Sequence, residues 1–139
     1  MPYLLDTCAI SELAKPRPDR RVKDALTALP REDVHLSAVS LGELQYGIGL
    51  RSDSAEKERL ISWLNLSILA VFGDRIIPID TFVALRWGDL LASLKPRGFK
   101  MQLQESLIAA TALEFSLTLV TRNVSDFVHS GVRILNPWQ

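Results

Sequence analysis

Several acids in this chain stand beside apolar runs rather than among other charges. Asp6 closes the opening run Tyr3-Leu4-Leu5. Glu43 follows the strand-like run Val34-His35-Leu36-Ser37-Ala38-Val39. Glu105 opens the apolar segment Leu107-Ile108-Ala109-Ala110-Thr111-Ala112. Asp126 lies just past a further strand-like run, Leu117 to Thr121, with Asn123 between. In a parallel α/β sheet the points where strands hand over to helices share one edge, and ligands bind there. Acids remote in sequence can therefore meet in one pocket. Carboxylates gathered without basic partners repel unless a hard cation holds them, and Mg²⁺ or Mn²⁺ prefers oxygen ligands.

Each acid also has a plain structural explanation. Ser40-Leu41-Gly42-Glu43 fits a capping box, in which Glu at the third helical position bonds back to the cap. Glu105 near a helix start is favoured by the helix dipole. Asp126 fits the start of a turn, and Asp80 fits an N-cap. Asp6 is the hardest to explain away, because a carboxylate at the buried end of a strand is costly without a partner.

The elements that must position these residues follow from periodicity. Short β-like runs alternate with longer helical ones, so the expected class is α/β with a mainly parallel sheet. Strands are expected at about residues 3–6, 34–38, 75–79 and 117–121, with a last short one at 132–135; Pro78 marks the third as an edge strand. Pro16 and Pro18 interrupt the chain. Pro18-Asp19 opens a helix with Val22, Ala25, Leu26 and Leu29 at helical spacing, and Pro30 stops it. Ser40 starts a helix containing Glu43, Leu44 and Ile48. Another runs from about Ser54 to Val71 with Leu60, Trp63, Leu64 and Ile68 on one face. Asp80 or Thr81 caps a helix carrying Val83, Leu85, Trp87 and Leu90, and 105–115 forms the most apolar helix.

Length and composition set the bounds. The 139 residues read as one domain spanning 1–139, long enough for a proper core. With 16 basic and 16 acidic residues the formal net charge is zero, so no global basic field announces nucleic acid, although an acidic pocket with a basic rim also sums to zero. The lone Cys8 is compatible with a reducing cytosol. The opening Met1-Pro2-Tyr3-Leu4-Leu5-Asp6 lacks the basic start of a secretion signal, and no apolar run reaches membrane-spanning length, so a cytoplasmic protein is expected. No Gly-rich phosphate loop suggests a nucleotide-binding domain. A receiver-like phosphotransfer domain is disfavoured, because the first strand ends in a single Asp.

An ordered set of motifs carries a family resemblance over essentially the whole chain. They are Leu4-Leu5-Asp6-Thr7 with Ile10-Ser11-Glu12-Leu13; Leu36 to Glu43 with Gly47; Leu107 to Ala112; Leu119-Val120-Thr121-Arg122-Asn123-Val124-Ser125-Asp126-Phe127; and Leu135-Asn136-Pro137-Trp138. With this spacing the chain resembles PIN-domain ribonucleases, specifically the VapC-type toxins of bacterial toxin–antitoxin pairs, near their FitB-like branch. The resemblance implies a PIN-like three-layer α/β fold, a central mainly parallel sheet flanked by helices. It implies an Mg²⁺- or Mn²⁺-dependent endoribonuclease that hydrolyses RNA phosphodiester bonds with metal-activated water. Asp6, Glu43, Glu105 and Asp126 match its metal site, and Asn123 completes the catalytic set. Thr121 matches a hydroxyl residue lining the site, and Arg122 beside it is the candidate phosphate contact.

Two residues depart from the family pattern. Cys8 stands where Asn is usual, and Glu105 stands where Asp is usual, adding a methylene to a metal-facing acid. They support an alternative, a catalytically weakened PIN-fold module that binds RNA or a partner without efficient turnover. The implied partners are RNA, a VapB-like antitoxin whose C-terminal segment lies across the active-site groove, and a second copy in a homodimer. The apolar faces between Ser40 and Val71 are a candidate groove for a partner helix. Candidate rim cations are Lys15, Arg17, Arg20, Arg21, Lys95, Arg97 and Lys100. His35 reads as a strand residue and His129 as surface, while Trp63, Trp87 and Trp138 read as packing residues.

Overall fold

Residues 2–139 are described by a computed structural model. Five short apolar runs form one sheet: β1 (Tyr3–Leu5), β2 (Val34–Ser37), β3 (Ile76–Ile77), β4 (Thr118–Val120) and β5 (Ile134–Leu135). Their order is β3-β2-β1-β4-β5, and every pairing is parallel. Chain order reverses at β1, which lies between β2 and β4, with Leu5 level with Leu36 on one side and Val120 on the other. That central position is the switch point at which parallel sheets open a crevice beyond their carboxyl ends. Both edge strands carry only two residues, and Pro78 follows β3 directly, as expected for an edge.

Helices cover both faces, so the fold has the expected three layers. They are α1 (Thr7–Ala14), α2 (Arg20–Thr27), α3 (Ala38–Gly49), α4 (Ala55–Trp63), α5 (Ala70–Phe72), α6 (Thr81–Leu94), α7 (Leu103–Glu114) and α8 (Val124–Phe127). Side chains alternate across a strand. Leu5 accordingly enters a cluster with Ile10, Val22, Leu44 and Leu60 from α1 to α4. Leu4 enters the opposite cluster with Leu90, Leu94, Ile108 and Phe127. The fully buried Ala109 and Ala110 and the almost fully buried Ala112 let α7 approach the sheet closely.

Local chemistry shifts several boundaries. The segment after Asp6 is not merely an approach to the prolines; it forms α1. Asp6 Oδ1 accepts a hydrogen bond from the Thr7 N–H at 2.8 Å and caps the helix, which stops before Pro16. Helix α3 starts two residues earlier than expected, because Ser37 Oγ accepts from the Val39 N–H at 3.1 Å and acts as N-cap. Ser40 is therefore inside the helix, and the expected capping box with Glu43 does not form. The long helix after Ser54 contains π-helical turns at Leu64–Leu69. Four residues of α-helix overshoot a full turn by about 40°. The wider π turn reverses that drift, and Leu60, Leu64 and Ile68 all stay in the core. Among the described residues no helix is long and apolar enough to cross a membrane.

Candidate functional site

The carboxyl edge of β1 holds Asp6 at 5% exposure, and its carboxylate is fully engaged. Oδ1 accepts from Thr7 N–H, while Oδ2 accepts from the Thr121 hydroxyl at 2.7 Å. Thr121 is completely buried just past β4, and its oxygen also accepts the Asn123 N–H at 2.9 Å. One hydroxyl thus joins the first acid to the loop carrying Asn123 and Asp126. Cys8 sits close by: its Sγ lies 3.5 Å from both Asp6 Oδ2 and Thr121 Oγ1. The thiol replaces the usual amide with a weak donor aimed at the same carboxylate. Burial, then the Asp6 charge, raises the Cys8 pKa, so the sulfur stays protonated.

Glu43 faces this corner from α3. Its Oε1 accepts from the Thr7 hydroxyl at 2.7 Å, and Ser40 Oγ is 2.8 Å from the same hydroxyl. Thr7 and Ser40 are positioning residues that sequence reasoning did not single out. Their signal was the Asp-Thr dipeptide: Asp as cap turns the next side chain toward the neighbouring helix.

Glu105 and Asp126 form the other side. Glu105 is the third residue of α7 after its cap, Gln102, so it stands in the first turn of the helix. Its carboxyl pairs with Asp126, which lies inside α8 rather than in a turn. Burial, the hydrogen bond and charge of Asp126, and the Asp6 charge push the Glu105 pKa from the usual 4.5 up to about 7. Two acids sharing a site cannot both ionise at little cost.

A pocket of about 450 Å³ is lined by Glu105, Asp126 and Asn123 together with Gln102, Phe99 and His129. An apolar groove of about 400 Å³ runs away from Thr7 and Glu43 between α1, α3 and α4, floored by Leu44, Ile48, Leu60 and Trp63. Among the described residues no Lys or Arg forms an ion pair with Asp6, Glu43, Glu105 or Asp126. Arg122 turns away, 4.8 Å above the Trp138 ring and 3.9 Å from Glu12. Glu12 is a buried acid outside the set. It accepts from Asp19 N–H at 3.0 Å and Lys15 Nζ at 3.1 Å; these bonds and the nearby Arg122 charge hold its pKa below the usual carboxylate range.

A PIN-domain family model matches residues 3–128. The chain belongs to the PIN-domain family. Within it the chain is 39% identical to toxin FitB of Neisseria gonorrhoeae over 97% of both chains. It is 32% identical to the VapC ribonuclease Y4jK of Sinorhizobium fredii, over 98% of this chain and 97% of that one. Among solved structures, FitAcB from Neisseria gonorrhoeae superposes with a TM-score of 0.92 at 39% identity, covering 99% of each chain. The Rickettsia felis VapBC2 complex, bound to a promoter DNA fragment, gives 0.82 at 27% identity over 98% of each. This PIN domain is thus one of the FitB/VapC toxin group.

Among the described residues no three His, Cys, Asp or Glu side chains stand together as a ready ligand set. Asp6 and Glu43 form one side through Thr7, and Glu105 with Asp126 forms the other. The donors are carboxylate oxygens flanked by hydroxyls and an amide, and no basic side chain neutralises them. That chemistry fits a hard divalent ion.

Proposed function

We propose that this PIN domain is a divalent-metal-dependent endoribonuclease acting in the cytoplasm as the toxin of a toxin–antitoxin pair. The observation that carries the reading is the Asp6 carboxylate buried at the switch point and joined through Thr7 to Glu43, with no Lys or Arg ion-paired to either among the described residues. Asp6, Glu43, Glu105 and Asp126 would hold Mg²⁺ or Mn²⁺, with Asn123 beside them. When bound, such an ion lowers the pKa of a water and stabilises charge on a phosphodiester. The chain's own residues do the positioning. Thr121 and Cys8 fix the Asp6 carboxylate, and Thr7 fixes Glu43. Thr121 lines the site, and Arg122 would contact a phosphate at the rim only on leaving Trp138 and Glu12.

The partners follow from the neighbours and the grooves. Similar solved structures are toxin–antitoxin complexes. The groove between α1, α3 and α4 ends at Glu43 and is apolar along its floor with Lys15, Arg51 and Arg59 on its rim, which suits an amphipathic antitoxin segment. Exposed Tyr46 on α3 and Leu50 just after it, with Phe82 and Leu85 on α6, are surface for a second copy.

The test is cleavage of mixed RNA by protein purified free of antitoxin, with Mg²⁺, Mn²⁺ or EDTA. Metal-dependent cleavage by wild type and its loss in Asp6→Asn are expected. RNA binding without turnover under either metal would leave the weakened binding module in its place.

A further inference from the structure

The pocket against Glu105 and Asp126 has a second wall that the metal chemistry does not use. Phe99 and His129 stack there, ring centroids 3.6 Å apart and planes 11° from parallel. Phe99 is partly buried against the core cluster of Leu94 and Phe127, whereas His129 is exposed. Ordinary packing accounts for Phe99; it does not require an exposed ring laid flat upon it. The pair is also braced. Arg97 lies 5.3 Å from the Phe99 ring centre, and its Nη1 is 3.4 Å from the His129 carbonyl oxygen. The Ser130 hydroxyl donates to the Phe127 carbonyl at 2.6 Å and so holds the turn that carries His129. The rings therefore sit on a fixed support.

The rest of the pocket suits the same ligand. Lys100 lines it as a cation, and the side chains of Gln102, Asn123 and Ser125 line it as neutral hydrogen-bonding groups. Its volume of about 450 Å³ falls in the range of small-molecule sites. Acids that hold a cation, an aromatic platform, neutral donors and acceptors, and one lysine together describe a place for a nucleotide: phosphate toward the acids and base toward the rings.

Resting on the ribonuclease reading, we propose that the pocket between Gln102 and His129 is a base-binding subsite, which takes one unpaired nucleobase of single-stranded RNA against the Phe99–His129 stack. Stacking tolerates any base, because every base has a π face. The amides of Gln102 and Asn123 are then the groups placed to discriminate base edges. The preferred substrate is an RNA loop or single strand, from which a base can be turned out of its helix.

Two measurements on the full chain test this. The first reads binding alone: a single-stranded oligoribonucleotide with one 2-aminopurine, scanned through its positions, is titrated with protein in Ca²⁺, a hard cation for the acids. Wild type should quench the fluorophore at one position. His129→Ala should lose that quenching and bind at least about fivefold more weakly, the lower end of what one base–aromatic stack contributes. His129→Phe should restore both. The second is cleavage of the same strand with Mg²⁺. His129→Ala should lower kcat/KM chiefly through KM, and an abasic residue at the quenched position should impose a similar loss on wild type but little further loss on the variant. Equal binding and quenching by wild type and His129→Ala would overturn the subsite, whether or not RNA is cleaved. Absence of cleavage by wild type would instead count against the nuclease reading, while the quenching still decides the subsite.

Discussion

Replacing Thr121 with Val removes one oxygen and keeps the shape, which isolates what that buried hydroxyl does. In wild type it donates to Asp6 Oδ2 at 2.7 Å and accepts from the Asn123 N–H at 2.9 Å. A hydrogen bond to a charged group contributes about 1.5–3 kcal/mol, and a neutral one about 0.5–1.5 kcal/mol. Valine supplies neither. Cys8, 3.5 Å away, is a weak substitute donor to the carboxylate. The summed loss is about 2–4 kcal/mol, or a fall in Tm of roughly 8–16 °C at this chain length. Thr121→Ser keeps both bonds and loses a methyl group, costing about 0.5–1.5 kcal/mol, as other single-methyl deletions do. Urea denaturation of the three proteins followed by far-UV circular dichroism measures the difference. Cleavage assays should show the same order, because a loosened Asp6 holds a cation less well. If Thr121→Val unfolds within about 0.5 kcal/mol of Thr121→Ser, the hydroxyl is not what secures Asp6, and the positioning argument is wrong.

Other outcomes follow from the same geometry. Asp6→Asn is nearly isosteric and removes one full charge from the site; it should stay folded and lose more than about 100-fold in cleavage rate, as removal of a central electrostatic group does, and an RNA assay showing wild-type rates would exclude Asp6 as a ligand. Glu105→Gln should lose cleavage, whereas Glu105→Asp should keep it and favour Mg²⁺, whose ligand oxygens must lie at about 2.0–2.1 Å; wild-type cleavage by Glu105→Gln would reduce that residue to its role at the helix start. Because the folded-state pKa of Glu105 is raised from 4.5 to about 7, the folded state binds the extra proton in this window, and stability without added metal should fall as pH rises through it. Melting curves at pH 5 and pH 8, with EDTA or Mg²⁺, should show Mg²⁺ stabilising at pH 8 much more than at pH 5. Glu12→Ala leaves the Asp19 N–H and Lys15 without their acceptor and should cost about 1–3 kcal/mol in urea unfolding.

Much of this arrangement was legible in the sequence because strand ends are legible. An apolar run closed by an acid marks both a strand and the edge to which its last side chain belongs, and Asp6 and the Thr121–Asp126 segment were placed that way. Helix starts were harder to read. The helix after Asp6 was hidden because its cap is also the first candidate ligand, and because its buried face includes Glu12, a charge that breaks the apolar pattern. At Glu43 the Ser-x-x-Glu spacing suggested a capping box, but Ser37 begins the helix one turn earlier, leaving Glu43 to bond across to Thr7. At Glu105 the position at a helix start was legible, whereas the neighbouring charge of Asp126 from another element was not. Sequence spacing also had no means of showing Phe99 against His129, since only the fold brings those segments together.

The central strand β1 precedes β2 to β5 in sequence, yet it is completed only by β4. β1 pairs with β4 at Tyr3–Thr118, Leu4–Leu119 and Leu5–Val120, and the Asp6–Thr121 hydrogen bond spans 115 residues. Contacts so distant in sequence form late and slow folding. A nascent or prematurely terminated chain ending before residue 118 would carry Asp6, Glu43 and Glu105 but lack both β4 and the hydroxyl that secures Asp6. This topology withholds the assembled site until β4 has been synthesised.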